Sequence, residues 1–587
     1  MSPRPAPPRT PRPRRWANVL ALLLAFAAVA GCASVPDSSP VQVLRRVGDG
    51  DNPVLPPGPV DDSNPLDLVR GFVDASGAPA DRHASARRFL APEAADWDDS
   101  GGITVLAGLF NTLYPENVPG VDDERTTVRI RGTAIGRLTA TGEFEADQFP
   151  VEIDVELVRR DGQWRISRVP DGVVVQLSVL RENYRAVRSW FVDPVRRAVV
   201  PDLRYLPIAP ARAQAARAVD LLLSGPSGAL AGAAVSEVPS SARLRSNVAE
   251  TPDGAVVVDL TQVGDIEESA RRLLAAQVVL SLAEVNVART RLLVDGEPLL
   301  AETPDLTRDD VAALAAEPQP GADVPGLVVS GGTVRQLSGP EPDTPLPGPV
   351  GNGSVDVESA ASTPDGQALA VVVREAGRRR LLVGGTADGA VAPVPLDATT
   401  MTRPTWAPAG NEAWTVVNGT VVARAIVGEG GPRTGQVNAA ALTALGPIQD
   451  LRLSRDGMRV AAVVDGALHT AAVERSIDGE VVLRNLRRLR PADLGEVVAV
   501  DWKSADTLAV VSRFVDRPVS QVSVDGLDLT PVSPSNLTPP LTSVAAAPSR
   551  PLLVTDQNGV WSFAGGETDT WRQVLGGAPG AVPLYAG

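Results

Sequence analysis

Apolar and polar positions along the 587-residue chain change period several times, and each change predicts an element. Trp16 to Ala30 is apolar apart from Asn18 and centres on Leu20-Ala-Leu-Leu-Leu-Ala-Phe26. It is shorter than the roughly 20 residues a membrane-spanning helix needs. From Ala33 to Asn64 no hydrophobic period survives. Pro36, Pro40, Pro53, Pro56, Pro57 and Pro59 alternate with Asp, Ser and Gly, the composition of an extended, proline-stiffened tether with one weak strand at Val41-Gln-Val-Leu44. Asn64-Pro65 then supplies an N-cap and a first-turn proline, and Leu66, Val69, Phe72 and Val73 share one helix face. A second helix is expected over Ala84 to Phe89, before Pro92. Beyond it the period becomes two. Val128-Arg-Ile130 alternates, and Val151-Glu-Ile-Asp-Val-Glu-Leu157 sets apolar residues at odd numbers and acids at even ones, the pattern of a half-buried antiparallel strand. Asp161-Gly162 is a hairpin turn, and Trp164-Arg-Ile166 returns from it.

A second set of elements begins near Tyr184. Ser189-Trp-Phe-Val192 reads as a short strand. Ala211 to Leu223 reads as a helix with Ala215, Val219, Leu222 and Leu223 on one side, closed by Gly225-Pro226. Val256 to Leu260 is a strand, and Ser269 to Leu282 is a helix striped by Leu274, Val278 and Leu282. Arg291 to Asp295 with Gly296 is another strand and turn. Thr307 with Asp310 forms a capping box for a short helix ending near Ala316. Glu317 to Pro325 is a proline-rich linker, and Pro340 to Pro349 a second proline cluster.

The remaining residues repeat. Ser362-Thr-Pro-Asp-Gly366, Trp406-Ala-Pro-Ala-Gly410, Leu453-Ser-Arg-Asp-Gly457, Trp502-Lys-Ser-Ala-Asp506 and Ala546-Ala-Pro-Ser-Arg550 each join two β-rich runs. Pro364, Pro408, Arg455, Ser504 and Pro548 are equivalent points, spaced by 44, 47, 49 and 44 residues. That period is one four-stranded propeller blade. A ring has to close, because an open one leaves unpaired edges. Val328 to Val334 is placed to pair with Val582 to Tyr585 and seal it, giving five or six blades; a β-sandwich array is the rival. The fold class expected is therefore multidomain, two small α+β domains followed by an all-β propeller.

Composition narrows the chemistry. Cys32 is the only cysteine, so no intrachain disulfide and no cysteine-based zinc site can form. The only histidines are His83 and His469. His83 sits beside Asp81 and Arg82 in a polar stretch and reads as a solvated loop residue; His469 lies in an alternating strand and reads as blade packing. No Gly-Lys-Ser/Thr phosphate loop is present. Asp96-Trp-Asp-Asp-Ser-Gly101 begins like a calcium loop, but its twelfth position is Ala107 rather than Glu. Asp259, closing a strand before a turn, reads as a cap. No catalytic residue, metal ligand or cofactor is expected. From Cys32 onward, 50 basic residues face 70 acidic ones, a balance of −20, which repels phosphate backbones and argues against nucleic-acid binding.

The first residues read as an address. Met1 to Arg15 is basic, Trp16 to Ala30 is its apolar core, and Val29-Ala30-Gly31-Cys32 resembles a bacterial lipobox. The resemblance implies cleavage before Cys32, S-diacylglycerol on its Sγ and an acyl group on its new amino terminus. Two or more acyl chains, each buried methylene contributing about 0.8 kcal/mol, hold a protein stably on a membrane.

The expected modules are a signal peptide (1–31), a lipidated cysteine and tether (32–63), an α+β domain (64–183), a second α+β domain (184–302), a helix and linker (303–326) and a propeller (327–587). The first α+β domain, ending in Asp161-Gly-Gln-Trp-Arg-Ile166, resembles the NTF2-like superfamily. The second is similar to GerMN domains in Ser224-Gly-Pro226, Val258-Asp-Leu260, Gln277 to Leu282 and Val294-Asp-Gly296. The propeller hairpin resembles that of TolB-like propellers. Taken in this order, the modules resemble the actinobacterial lipoprotein LpqB family. That resemblance implies a non-enzymatic accessory lipoprotein, anchored to the outer leaflet of the cytoplasmic membrane. Its implied partner is the extracytoplasmic sensor domain of the histidine kinase MtrB, in the MtrA–MtrB system of cell-wall homeostasis and division. Two other classes stay open, an envelope lipoprotein that binds peptidoglycan or another polymer, and a propeller-based hydrolase.

Overall fold

The computed structural model describes residues 56–116, 124–315, 319–337, 343–490, 492–565 and 570–587. The signal segment, Val29, Ala30, Gly31 and Cys32 of the lipobox, and the weak strand at Val41–Leu44 lie outside them.

The first helix, Pro65–Ser76, starts as its sequence dictates: the Asn64 side chain accepts from Asp67 N at 3.0 Å, and Pro65 fills the first turn. It buries Leu68, Val69, Phe72 and Val73 against a curved sheet whose strands run in the order Gln163–Arg168, Phe144–Arg160, Arg125–Leu138, Ile103–Leu106, Val173–Gln176. The alternating segment lies within the second of these, with Val151, Val155 and Leu157 buried and Glu152, Asp154 and Glu156 exposed. Asp161 and Gly162 make the hairpin turn, both with positive φ. Gly136 sits in a register shift of the long central strand with φ 155°, packed so closely on Glu145 O that a Cβ has no room. This bulge curves the sheet over its helix.

The second domain joins a two-stranded ribbon, Tyr184–Asp193 and Ala198–Pro207, to a βαβ unit. Val256–Thr261 and Thr290–Val294 pair in parallel, and the helix Glu268–Ala283 makes the crossover. That helix is buried all round from Leu273 to Leu282, not along a single stripe. The two polar residues of that buried stretch are committed to backbone: Gln277 Nε2 donates to Trp190 O at 3.0 Å and Gln277 Oε1 accepts from Glu237 N at 2.7 Å, while Ser281 Oγ accepts from Trp190 N at 2.9 Å. The ribbon is longer than the short strand expected. Pro201 lies inside its unbroken second arm, and Trp190 to Asp193 and Val199 to Asp202 are buried on both faces, so neither arm shows alternation. The capping box forms, with Thr307 N donating to Asp310 Oδ2 at 2.8 Å.

The repeats are blades, and the described residues form a ring of six. Blades 1 to 5 are four-stranded antiparallel sheets that begin at Asp356, Thr405, Ile448, Val497 and Ser543. The sixth is a three-stranded sheet in which Leu327–Ser330 pairs with both Thr333–Gln336 and the last strand, Val582–Leu584. Contacts between the leading strands run from blade 1 round to the last strand and back to blade 1. Trp406 Nε1 donates to Ala361 O at 3.1 Å and Trp502 Nε1 to Arg452 O at 3.0 Å, so each indole ties its blade to the one before.

Deleting Val582 to Gly587 removes the closing strand together with buried Leu584 and Ala586. Losing one buried leucine costs about 2–5 kcal/mol. Calorimetry of the truncated chain is expected to show the propeller transition lowered by roughly 5–15 °C; an unchanged midpoint would show that the ring holds without its seal.

Candidate functional site

The sequence nominates few chemical residues, and each of those within the described residues has a structural partner. His83 is not a solvated loop residue. It is buried, its Nδ1 lies 2.8 Å from Ser76 O, and its ring meets Trp97 edge to face. The chain reverses into left-handed φ at Asp81, Arg82 and His83, which turns the imidazole inward; polar flanks gave no hint of this. Burial lowers its pKa, with Arg87 adding to the effect. His469 is buried in the third strand of blade 3, Nδ1 3.2 Å from Ala467 O. Asp259 Oδ1 accepts from Gly296 N at 3.1 Å and closes the turn. In the calcium-like segment, Asp98 Oδ1 accepts from Ser100 N (2.9 Å) and Oγ (2.6 Å), and Asp99 pairs with Arg87 at 2.8 Å. Among the described residues no group of three or more His, Cys, Asp or Glu side chains is placed to hold a metal ion.

The propeller axis is crossed by a network of arginines and aspartates. From the loop before blade 2, Arg403 reaches Asp501 Oδ2 (2.8 Å), Val544 O (3.0 Å) and Pro583 O (3.3 Å), touching blades 4, 5 and 6. Arg452 lies 3.4 Å from the other Asp501 oxygen, and Arg455 donates to Ala586 O (2.6 Å) and Ala546 O (3.1 Å). Burial pushes Asp501 up, but Arg403, Arg452 and Arg455 outweigh it and hold its carboxyl below the usual range. Burial and the neighbouring Arg403 pull Arg452 down to about 10, so it stays charged at neutral pH. Asp450 is raised by burial and bonded to Val500 N at 3.1 Å. These acids are consumed by arginines and backbone, an arrangement that welds blades together rather than presenting carboxylates to a substrate.

The feature that sequence reasoning missed is a three-way junction. Glu143 of the first domain accepts from Gly228 N (2.9 Å) and Ala229 N (3.0 Å) of the second and from Arg487 Nη2 (2.6 Å) of blade 3. In the second domain Asp202 accepts from Arg204 Nη2 (3.0 Å), Ser227 N (2.7 Å) and Ser227 Oγ (2.8 Å), and Arg459 of blade 3 approaches to 3.7 Å. Arg204, 1% exposed, also donates to Thr141 O of the first domain at 2.7 Å. Arg196 donates to Asp456 O in Ser454-Arg-Asp-Gly457, the hairpin that also supplies Arg455 to the axis. Apolar packing follows the same lines. Met458 and Ala472 of blade 3 belong to the core of the second domain, and Leu527 of blade 4 to the core of the first. One signal was available: Asp202 and Arg204 are opposite charges two apart in an otherwise apolar strand, on one face of it.

Asp525, beside this junction, is buried, with the Tyr205 hydroxyl close to its carboxyl. Its Oδ1 accepts from Ser523 Oγ (2.5 Å) and Leu527 N (3.0 Å). Burial pushes its carboxyl up to about 6.

Fold and junction together define a class: a β-propeller protein carrying two α+β modules fused to blades 3 and 4. Family models agree module by module, matching the lipoprotein LpqB N-terminal domain at residues 58–181, a sporulation and spore germination domain at 188–300 and the lipoprotein LpqB β-propeller domain at 332–586. Lipoprotein LpqB of Nocardia farcinica is 32% identical over 95% of this chain and 95% of its own length. Lipoprotein LpqB of Rhodococcus jostii is 32% identical over 97% of each. The chain belongs to the lipoprotein LpqB family, and membrane anchoring goes with membership. Among solved structures, a chain of a nidogen/laminin complex is 12% identical with a TM-score of 0.32, covering 40% of this chain and 88% of its own. No helix among the described residues is long and apolar enough to cross a membrane.

Asp525 gives a test of the junction. Its folded-state pKa of about 6 lies above the unfolded 3.8, so protonation favours the folded state. That stabilisation is full below the unfolded value and is lost as pH rises through about 6. Asp525→Asn is therefore expected to exceed the wild type by roughly 3 kcal/mol near neutral pH, the gap closing as pH falls toward 4. Urea unfolding across that range checks it; a gap independent of pH would show that the carboxyl is not desolvated.

Proposed function

We propose that this chain is a lipid-anchored accessory protein on the extracytoplasmic face of the cytoplasmic membrane, held there by Cys32. In this reading it binds the extracytoplasmic sensor domain of a histidine kinase of the MtrB type and tunes the MtrA–MtrB system in cell-wall homeostasis and division. The observation that carries the reading is the fusion of the three modules. Residues of blades 3 and 4 complete the cores of both α+β domains, and Glu143–Arg487 at 2.6 Å fixes the first domain to the propeller. A unit without internal joints suits a docking body that selects among a partner's conformations. Axial acids neutralised by Arg403, Arg452 and Arg455 favour this over a hydrolase. The mechanism is population shift: the protein binds one kinase conformation better than the other, and each tenfold bias corresponds to about 1.4 kcal/mol of differential affinity.

Two measurements test the reading. Cys32→Ala is expected to move the protein from the membrane fraction to the soluble one and to weaken signalling, while its calorimetric transitions stay unchanged; continued membrane retention would defeat the anchoring claim. Crosslinking in intact cells is expected to join the protein to the kinase sensor domain. Capture by cell-wall sacculi with no kinase crosslink would point instead to a polymer-binding role.

A further inference from the structure

A cleft of about 320 Å³ lies between the first domain and the helix Ala211–Leu223 of the second, near the lower end of the roughly 300–1,000 Å³ typical of small-molecule sites. Ile103, Leu138, Leu206 and Leu221 give it an apolar wall. Two charges of opposite sign, Arg217 and Asp220, line it from that helix. Residues three apart on a helix have Cβ atoms about 5–6 Å apart, near enough to pair, yet these two do not. Arg217 Nη1 donates only to Pro207 O, at 3.3 Å, and among the described residues no ion pair within 4.0 Å forms at either side chain. Asp220 is exposed to solvent, and its partial burial raises the carboxyl against the pull of the nearby Arg217. A second carboxylate, Asp99, also lines the cleft but is paired with Arg87 at 2.8 Å, and two neutral groups line it as well. Burial pushes the Tyr184 hydroxyl up to about 12, so at neutral pH it is a donor. His83 is held by Ser76 O through Nδ1, which leaves Nε2 as an acceptor.

We propose that this cleft binds a free α-amino acid with an apolar side chain. The carboxylate meets Arg217 and the Tyr184 hydroxyl, the ammonium meets Asp220, and the side chain lies on the leucine–isoleucine wall. Spacing selects the ligand. Only one carbon separates the charged groups of an α-amino acid, which suits two side chains one helical turn apart. Each further residue of a peptide adds roughly 3.3–3.6 Å between its ends. An uncharged sugar would engage neither the Arg217 nor the Asp220 charge. This inference is independent of the kinase reading, since it concerns only groups of the first two domains.

The test is titration calorimetry of the full-length, detergent-solubilised chain with leucine in both enantiomers, with leucinamide (no carboxylate) and with N-acetyl-leucine (no ammonium). Saturable binding of at least one leucine enantiomer is expected, with each blocked form at least about tenfold weaker. Arg217→Gln should bind leucine no better than leucinamide, and Asp220→Asn should bind leucine no better than N-acetyl-leucine, each with unchanged melting. This crossed pattern separates charge recognition from a merely structural role. No saturable heat at millimolar leucine, or equal binding of the blocked forms, would overturn the proposal.

Discussion

The architecture depends on one constraint: a charge removed from water must find its opposite. Asp202, Arg204 and Arg459 are all at most 4% exposed, at a point where two domains and a propeller blade converge. Taking such groups out of water costs several kcal/mol each unless geometry returns it through partners. Here the partners come from separate modules. Arg204 is satisfied by Thr141 O of the first domain, and Arg459 by Pro201 O of the second at 3.1 Å. No module can leave without stranding a buried charge in another. This converts a string of familiar folds into one body, and it explains why apolar residues of blades 3 and 4 count as core residues of their neighbours.

Periodicity disclosed much of the fold, and its blind spots have physical causes. A half-buried strand such as Val151 to Leu157 writes its two faces into the sequence as alternation. The five hairpins announce themselves because a tight turn restricts residue choice: Thr363 and Asp365 bond each other at 2.6 Å much as Ser504 and Asp506 do at 2.5 Å. The arm Ala198–Pro207 carries no such signature, because burial on both faces erases alternation and Pro201 resembles a break. The helix Glu268–Ala283 offered a stripe where the fold uses its whole circumference.

The sites were less legible than the fold. Lipidation chemistry is local, so four consecutive residues suffice to suggest it. The junction is assembled from positions hundreds of residues apart, such as Glu143 and Arg487, and neither stands out within its own segment. His83 shows the same limit at short range. Its neighbours Asp81 and Arg82 are polar, yet three left-handed residues in succession send the imidazole under Trp97. Backbone direction, which no side-chain pattern records, decided the matter.

Pairing of Leu327–Ser330 with Val582–Leu584 carries a consequence for biogenesis. A polypeptide emerging amino terminus first presents its two small domains long before Met458 and Leu527, which their interiors require, have appeared. The barrel of blades waits longer still, until the last few residues are free. Until then apolar surfaces and strand edges stay uncovered, so the polypeptide spends nearly all of its synthesis in need of protection from its neighbours.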